Sequence, residues 1–102
     1  MMDVTASERD AVLAALRAAL PELRRRFPIR TLGVFGSFAR GDIGAGSDVD
    51  VLVEFERPVG LSSFVALEDA LRAAAGRPVD LVSRAALKPR IGRHALRDLV
   101  PL

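Results

Sequence analysis

The sequence predicts an α/β fold, a small mixed sheet of about three strands flanked by helices. Three observations carry that expectation. Apolar residues recur at helical spacing in two long segments, roughly residues 7–27 and 62–75. Three short β-branched runs lie between and after them. The resulting order is α-β-β-α-β-α, which belongs to layered α/β domains.

The first helix is expected from about Ser7 to Phe27, where Val12, Leu13, Leu16, Leu20 and Leu23 repeat at helical spacing and alanine fills the gaps. Pro21 either kinks this helix or begins a second one at its first-turn position, and Pro28 stops the segment. Thr31 to Phe35 reads as a strand closed by Gly36. Val49 to Phe55 reads as a second, with β-branched alternation. The stretch from Gly36 to Asp48 is rich in Gly, Ser and Asp and reads as loop, with room for one helical turn after Ser37. A helix follows from about Ser62 to Ala75, with Phe64, Leu67 and Leu71 on one face and Gly76 in the C-cap position. Val79 to Val82 is the third strand, started by Pro78. A last helix is expected from about Pro89 to Leu99, weakened by Gly92. The second and third strands, joined by a helix, should run parallel. The first two can be antiparallel neighbours. That arrangement brings Gly36-Ser37, Asp48, Asp50 and Asp80 to one edge of the sheet.

Composition limits the chemistry. With 102 residues the chain is read as a single domain, residues 1–102, with little mass to spare for a second module. There is no cysteine and a single histidine, which removes disulfides, thiolate centres and His-rich zinc sites. No basic segment leading into an apolar run opens the chain, and no apolar stretch approaches the roughly 18 residues of a membrane span, so a cytoplasmic location without membrane association is expected. A net charge of +2 gives little support to nucleic acid as a direct substrate. The high pI of about 10.4 reflects arginine, since Lys88 is the single lysine.

Asp48-Val49-Asp50 opens an otherwise apolar strand. Side chains alternate along a strand, so both carboxylates share a face while Val49, Val51 and Val53 share the other. Aspartate is depleted in strands, and like charges this close repel. A divalent cation would offset that cost, and Mg²⁺ favours carboxylate and phosphate oxygens. Asp48 as a turn cap beside an exposed Asp50 is the plainer alternative. Asp80, inside the apolar run Pro78-Val79-Asp80-Leu81-Val82, is either a satisfied polar group or a third ligand. Together the three carboxylates supply what two-metal phosphoryl transfer needs, with Asp80 able to accept the proton of the attacking oxygen. Gly36-Ser37-Phe38-Ala39-Arg40-Gly41 directly follows the first strand. Gly36 allows close backbone approach, Ser37 can donate to a phosphate oxygen, and Arg40 adds charge. An ordinary strand-to-helix turn capped by Ser37 would read the same way. It is not a Walker A loop, because no Gly-Lys-Ser/Thr follows.

The combination of Gly36-Ser37, a glycine at 41, and Ser47-Asp48-Val49-Asp50-Val51-Leu52-Val53 about ten residues on resembles the signature of the DNA polymerase β-type nucleotidyltransferase superfamily. Val79-Asp80-Leu81-Val82 matches its third-carboxylate strand. The short chain resembles in particular the minimal nucleotidyltransferases, often encoded beside a HEPN protein in prokaryotic toxin–antitoxin modules. The resemblance implies an NTP–Mg²⁺ substrate, with two ions, held through the Gly-Ser turn and Asp48 and Asp50, and Asp80 completing the triad. It further implies transfer of a nucleoside monophosphate, AMP from ATP, to a partner hydroxyl. A tyrosine of a cognate HEPN toxin is the acceptor that the minimal families suggest, which would make this chain an antitoxin. Two alternatives remain open at this stage. One is a binding module that neutralises its partner by contact alone. The other is a small-molecule nucleotidyltransferase, for which the chain is short. The acceptor, donor base and oligomeric state are not encoded in any motif. His94 and the Arg24-Arg25-Arg26 run are read as structural or solvated, and the basic group Arg84, Lys88, Arg90, Arg93 and Arg97 as either a solvated face or a contact to triphosphate or a partner.

Overall fold

The computed structural model describes residues 6–41, 48–87, 93 and 96–102. Its elements are α1 (Ala6–Arg26), β1 (Ile29–Phe35), α2 (Gly36–Arg40), β2 (Val49–Phe55), α3 (Leu61–Ala75), β3 (Val79–Ser83) and β4 (Val100–Pro101), with a short 3-10 turn at Arg84–Ala86. The sheet has the order β3-β2-β1-β4. β1 is antiparallel to both β2 and β4, and β2 is parallel to β3.

One face of the sheet carries the core. Leu32 and Val34 of β1, Val49, Val51 and Val53 of β2, and Val79 and Leu81 of β3 point to the side covered by Leu13 and Leu16 of α1 and Leu67 and Leu71 of α3. Ile29 joins them although it is an odd number of residues from Leu32. The register slips between Ile29 and Thr31, so Arg30 is bulged out and the alternation is reset. Leu16, Leu67 and Leu71 are fully buried. Truncating any of them to alanine would cost about 2–5 kcal/mol.

α1 runs through Pro21 without interruption. Proline has no N–H, so the carbonyl of Arg17 lacks its helical donor. Both residues lie on the exposed side, where water can serve it. At the helix end, Arg24 donates to the carbonyl of Ile29 at 3.0 Å, and Arg26 lies over the Phe27 ring at 5.1 Å. Part of the arginine run therefore shapes the turn into β1, while Arg25 pairs locally with Glu22.

The fourth strand is the difference from the expected three. β4 is two residues long and contains proline, too short to show alternation. It is held by pairing with Gly33 and Val34 and by a bond from Leu102 N–H to the Leu32 carbonyl at 2.9 Å. Arg17 adds a bond to the Pro101 carbonyl at 3.2 Å. Leu99, the last residue of the expected final helix, packs over Gly33 just outside the strand; a side chain at Gly33 would begin 2.5 Å from its Cδ1. Most of the segment assigned to that helix, His94 included, lies outside the described residues. At the other margin, Leu81 donates its N–H to Glu68 of α3 at 3.0 Å. Among the described residues, no helix is long and apolar enough to cross a membrane.

Candidate active site

The register builds the site. Phe35, the last residue of β1, pairs with Asp50, and Asp50 pairs with Asp80 across the parallel ladder. Paired residues on adjacent strands point to the same face and sit about 4.8 Å apart. Asp50 and Asp80 are therefore side by side on the face opposite the core, at the end where β1 turns into α2. Asp48, one residue before β2, shares their side by alternation and is exposed. The sequence expectation that Gly36-Ser37, Asp48, Asp50 and Asp80 meet at one edge matches this arrangement.

Gly36 has φ +76°, in the left-handed region, and a Cβ there would lie 2.6 Å from Oδ2 of Asp50. The turn thus brings bare backbone against the carboxylate. The N-cap of α2 is Phe35, which offers no side-chain cap, so the serine-cap reading of Ser37 is replaced. Gly41 closes α2 by donating to the Phe38 carbonyl at 3.1 Å, and Arg9 reaches across from α1 to the Ala39 carbonyl at 2.9 Å. Phe38 is fully buried, and Arg77, just before β3, lies over its ring at 5.2 Å. The short helix is anchored from below while its first turn faces the acids.

Asp50 is half-buried, and its carboxyl is raised above the ordinary range. Burial is the largest cause, followed by repulsion from Asp80 and then from Asp48. No hydrogen bond or ion pair from another described residue compensates any of the three. Among the described residues, no three acidic or histidine side chains converge into a ready-made metal cage. The donor set nevertheless fits a hard cation. Mg²⁺ is usually held by one or two carboxylates, with phosphate oxygens and water completing its shell. An uncompensated, mutually repelling acid pair is what such an ion would relieve.

Arg40 is placed differently from the simplest expectation. Its Nη1 donates to Oδ2 of Asp98 at 2.9 Å, an ion pair that sequence reading did not foresee because 58 residues separate the partners. A groove of about 810 Å³ lies at the far end of β2, lined by Phe55, Leu61, Phe64 and Arg84 among others, and shares no residue with the acids. Segment 42–47, between the turn and Asp48, lies outside the described residues.

The nucleotidyltransferase domain family matches residues 16–100 of this chain. The chain belongs to that family, and it is a nucleotidyltransferase. Its similarity to the protein adenylyltransferase MntA of Thermococcus cleftensis is 43% identity over 100 residues, covering 98% of each chain. Among solved structures, a candidate minimal nucleotidyltransferase superposes with a TM-score of 0.79 at 37% identity, covering 99% of this chain and 97% of that one. A tri-AMPylated HEPN toxin of Shewanella oneidensis in complex with MNT antitoxin matches at a TM-score of 0.67 and 18% identity, over 88% of this chain and 70% of that one, a likeness of fold.

Proposed function

We propose that this chain is a protein adenylyltransferase that moves AMP from Mg²⁺-bound ATP to a hydroxyl of a partner protein, a tyrosine of a HEPN-type toxin, and so acts as its antitoxin. The observation that carries the chemistry is the pairing of Asp50 with Asp80 beside the bare backbone of Gly36. The substrate and partner rest on the full-length likeness to an MntA adenylyltransferase, and agree with the toxin complex that shares the fold.

In this reading Gly36 and Ser37 receive the triphosphate, Ser37 by donating from its hydroxyl, while Arg40 adds positive charge. Asp48 and Asp50 would hold Mg²⁺, joined by Asp80 where a second ion binds. The ion would screen phosphate charge and help orient the α-phosphate. Asp80, exposed and beside Asp50, takes the proton of the acceptor hydroxyl. The hydroxyl oxygen then bonds to the α-phosphorus, the bond to the bridging β-phosphate oxygen breaks, and pyrophosphate leaves. Positioning and charge stabilisation account for most catalysis of this kind, so a small domain suffices.

The test is transfer of labelled AMP from ATP to the purified cognate HEPN-type partner, with Mg²⁺ and with EDTA. Label on a partner tyrosine only with Mg²⁺ is expected. Neutralisation of the partner without label would establish the contact-only reading instead.

A further inference from the structure

We propose that Asp98 is a positioning residue for nucleotide binding: it holds the Arg40 guanidinium at the flank of the Gly36–Ser37 turn, where that cation meets the triphosphate. The inference rests on reading the turn as the nucleotide site.

β4 runs antiparallel to β1, with Val100 opposite Val34 and Pro101 opposite Gly33. Leu99, just before β4, packs over Gly33 of β1, which keeps the segment carrying Asp98 close to the end of β1 from which Gly36 turns into α2. Two acids thus stand near this region, Asp50 of β2 beside Gly36 and Asp98, in the segment leading into β4, on Arg40 of α2. They have opposite surroundings. Asp50 faces other carboxylates, whereas Asp98 accepts from Arg40 at 2.9 Å.

Asp98 is the better fixed partner. Leu99, next in the chain, packs over Gly33, and Val100 is in the ladder with Val34. The Asp98 side chain is 25% exposed and that of Arg40 is 46% exposed. A free arginine at the end of α2 would sample many rotamers, so a rigid acceptor reduces what nucleotide binding must order. Arginine carries five N–H donors in a planar fork, so a guanidinium that already donates to protein acceptors can also engage a phosphate oxygen. The long separation in sequence thereby makes the C-terminal segment part of the nucleotide site.

The experiment measures affinity for Mg²⁺-ATP and for AMP in the parent, Asp98→Asn, Asp98→Glu, Arg40→Ala and the Arg40→Ala/Asp98→Asn double variant, with melting temperature on the same samples. Asp98→Asn is expected to weaken ATP binding by about fivefold, the upper range for an exposed ion pair, and to leave AMP binding unchanged. Asp98→Glu should recover part of the loss, and Asp98→Asn should have no further effect in the Arg40→Ala background. Tighter ATP binding by Asp98→Asn, an equal effect without Arg40, or failure of both Asp98 variants to fold would overturn the proposal. A parent protein that binds no ATP would overturn the nucleotide-site reading itself, a result distinct from normal binding that ignores Asp98.

Discussion

A methyl group on Gly36 would lie 2.6 Å from Oδ2 of Asp50, so the turn and the acid occupy their places only because position 36 has no side chain. The backbone there has φ +76°, which costs a residue with a Cβ about 1–2 kcal/mol. Gly36→Ala is therefore expected to lower stability by about that amount and to push the Asp50 carboxylate aside. Urea unfolding measures the first effect and the Mg²⁺ dependence of ATP binding the second. A variant with parental values in both would show that the close approach has no role.

Asp50 links the site to pH. Its carboxyl is raised, chiefly by burial, then by Asp80 and Asp48. Between the unfolded and folded values the native state binds more proton, so its stability falls as pH rises through that window. Asp50→Asn should therefore melt higher than the parent at neutral pH in the absence of metal. The gain should vanish in acid below the ordinary carboxylate range, where the parent is already protonated. Melting curves across pH check the sign, and a variant that is less stable at neutral pH would contradict it.

ATP binding should depend on a divalent ion. The three carboxylates, which have no ion pair among the described residues, repel a triphosphate until a cation screens them. Titration with ATP in EDTA and then in Mg²⁺ is expected to give weak and strong binding respectively. Equal affinity in both would remove the metal from the site.

Asp80→Asn separates binding from chemistry. Asparagine keeps nearly the same shape, and Asp80 is exposed, so the fold should be unaffected. ATP affinity should stay near the parent value while single-turnover transfer falls by roughly 10²–10⁴-fold, the contribution of a positioned base. Joint loss of binding and transfer would make Asp80 chiefly a metal ligand; transfer at the parental rate would make it a structural strand residue.

The legibility of the chain in sequence follows from where its signals are local. β2 is bounded as its β-branched alternation predicts, Val49 to Phe55, and α3 begins one residue before expectation and ends at Ala75 as expected. β1 starts earlier than expected because Arg30, bulged, breaks the apolar pattern that would have revealed Ile29. β4 has no pattern of its own and is defined by what it pairs with. The acids were visible because aspartate is out of place in apolar strands. The Asp98–Arg40 pair and the burial of Asp50 arise from long-range packing and have no local signature.

The features that finish the sheet at its two margins also govern how copies of the chain behave when crowded. On one side the Leu81 N–H is already given to Glu68, and on the other β4 is two residues long and contains Pro101, which has no N–H to give. Open strand edges are templates for adding a foreign strand, and natural proteins suppress this with short edges, proline and charge. Here those devices fall on opposite margins of one sheet. The sheet is thereby guarded against fibre-like growth, and removing Glu68 would open the β3 margin to it.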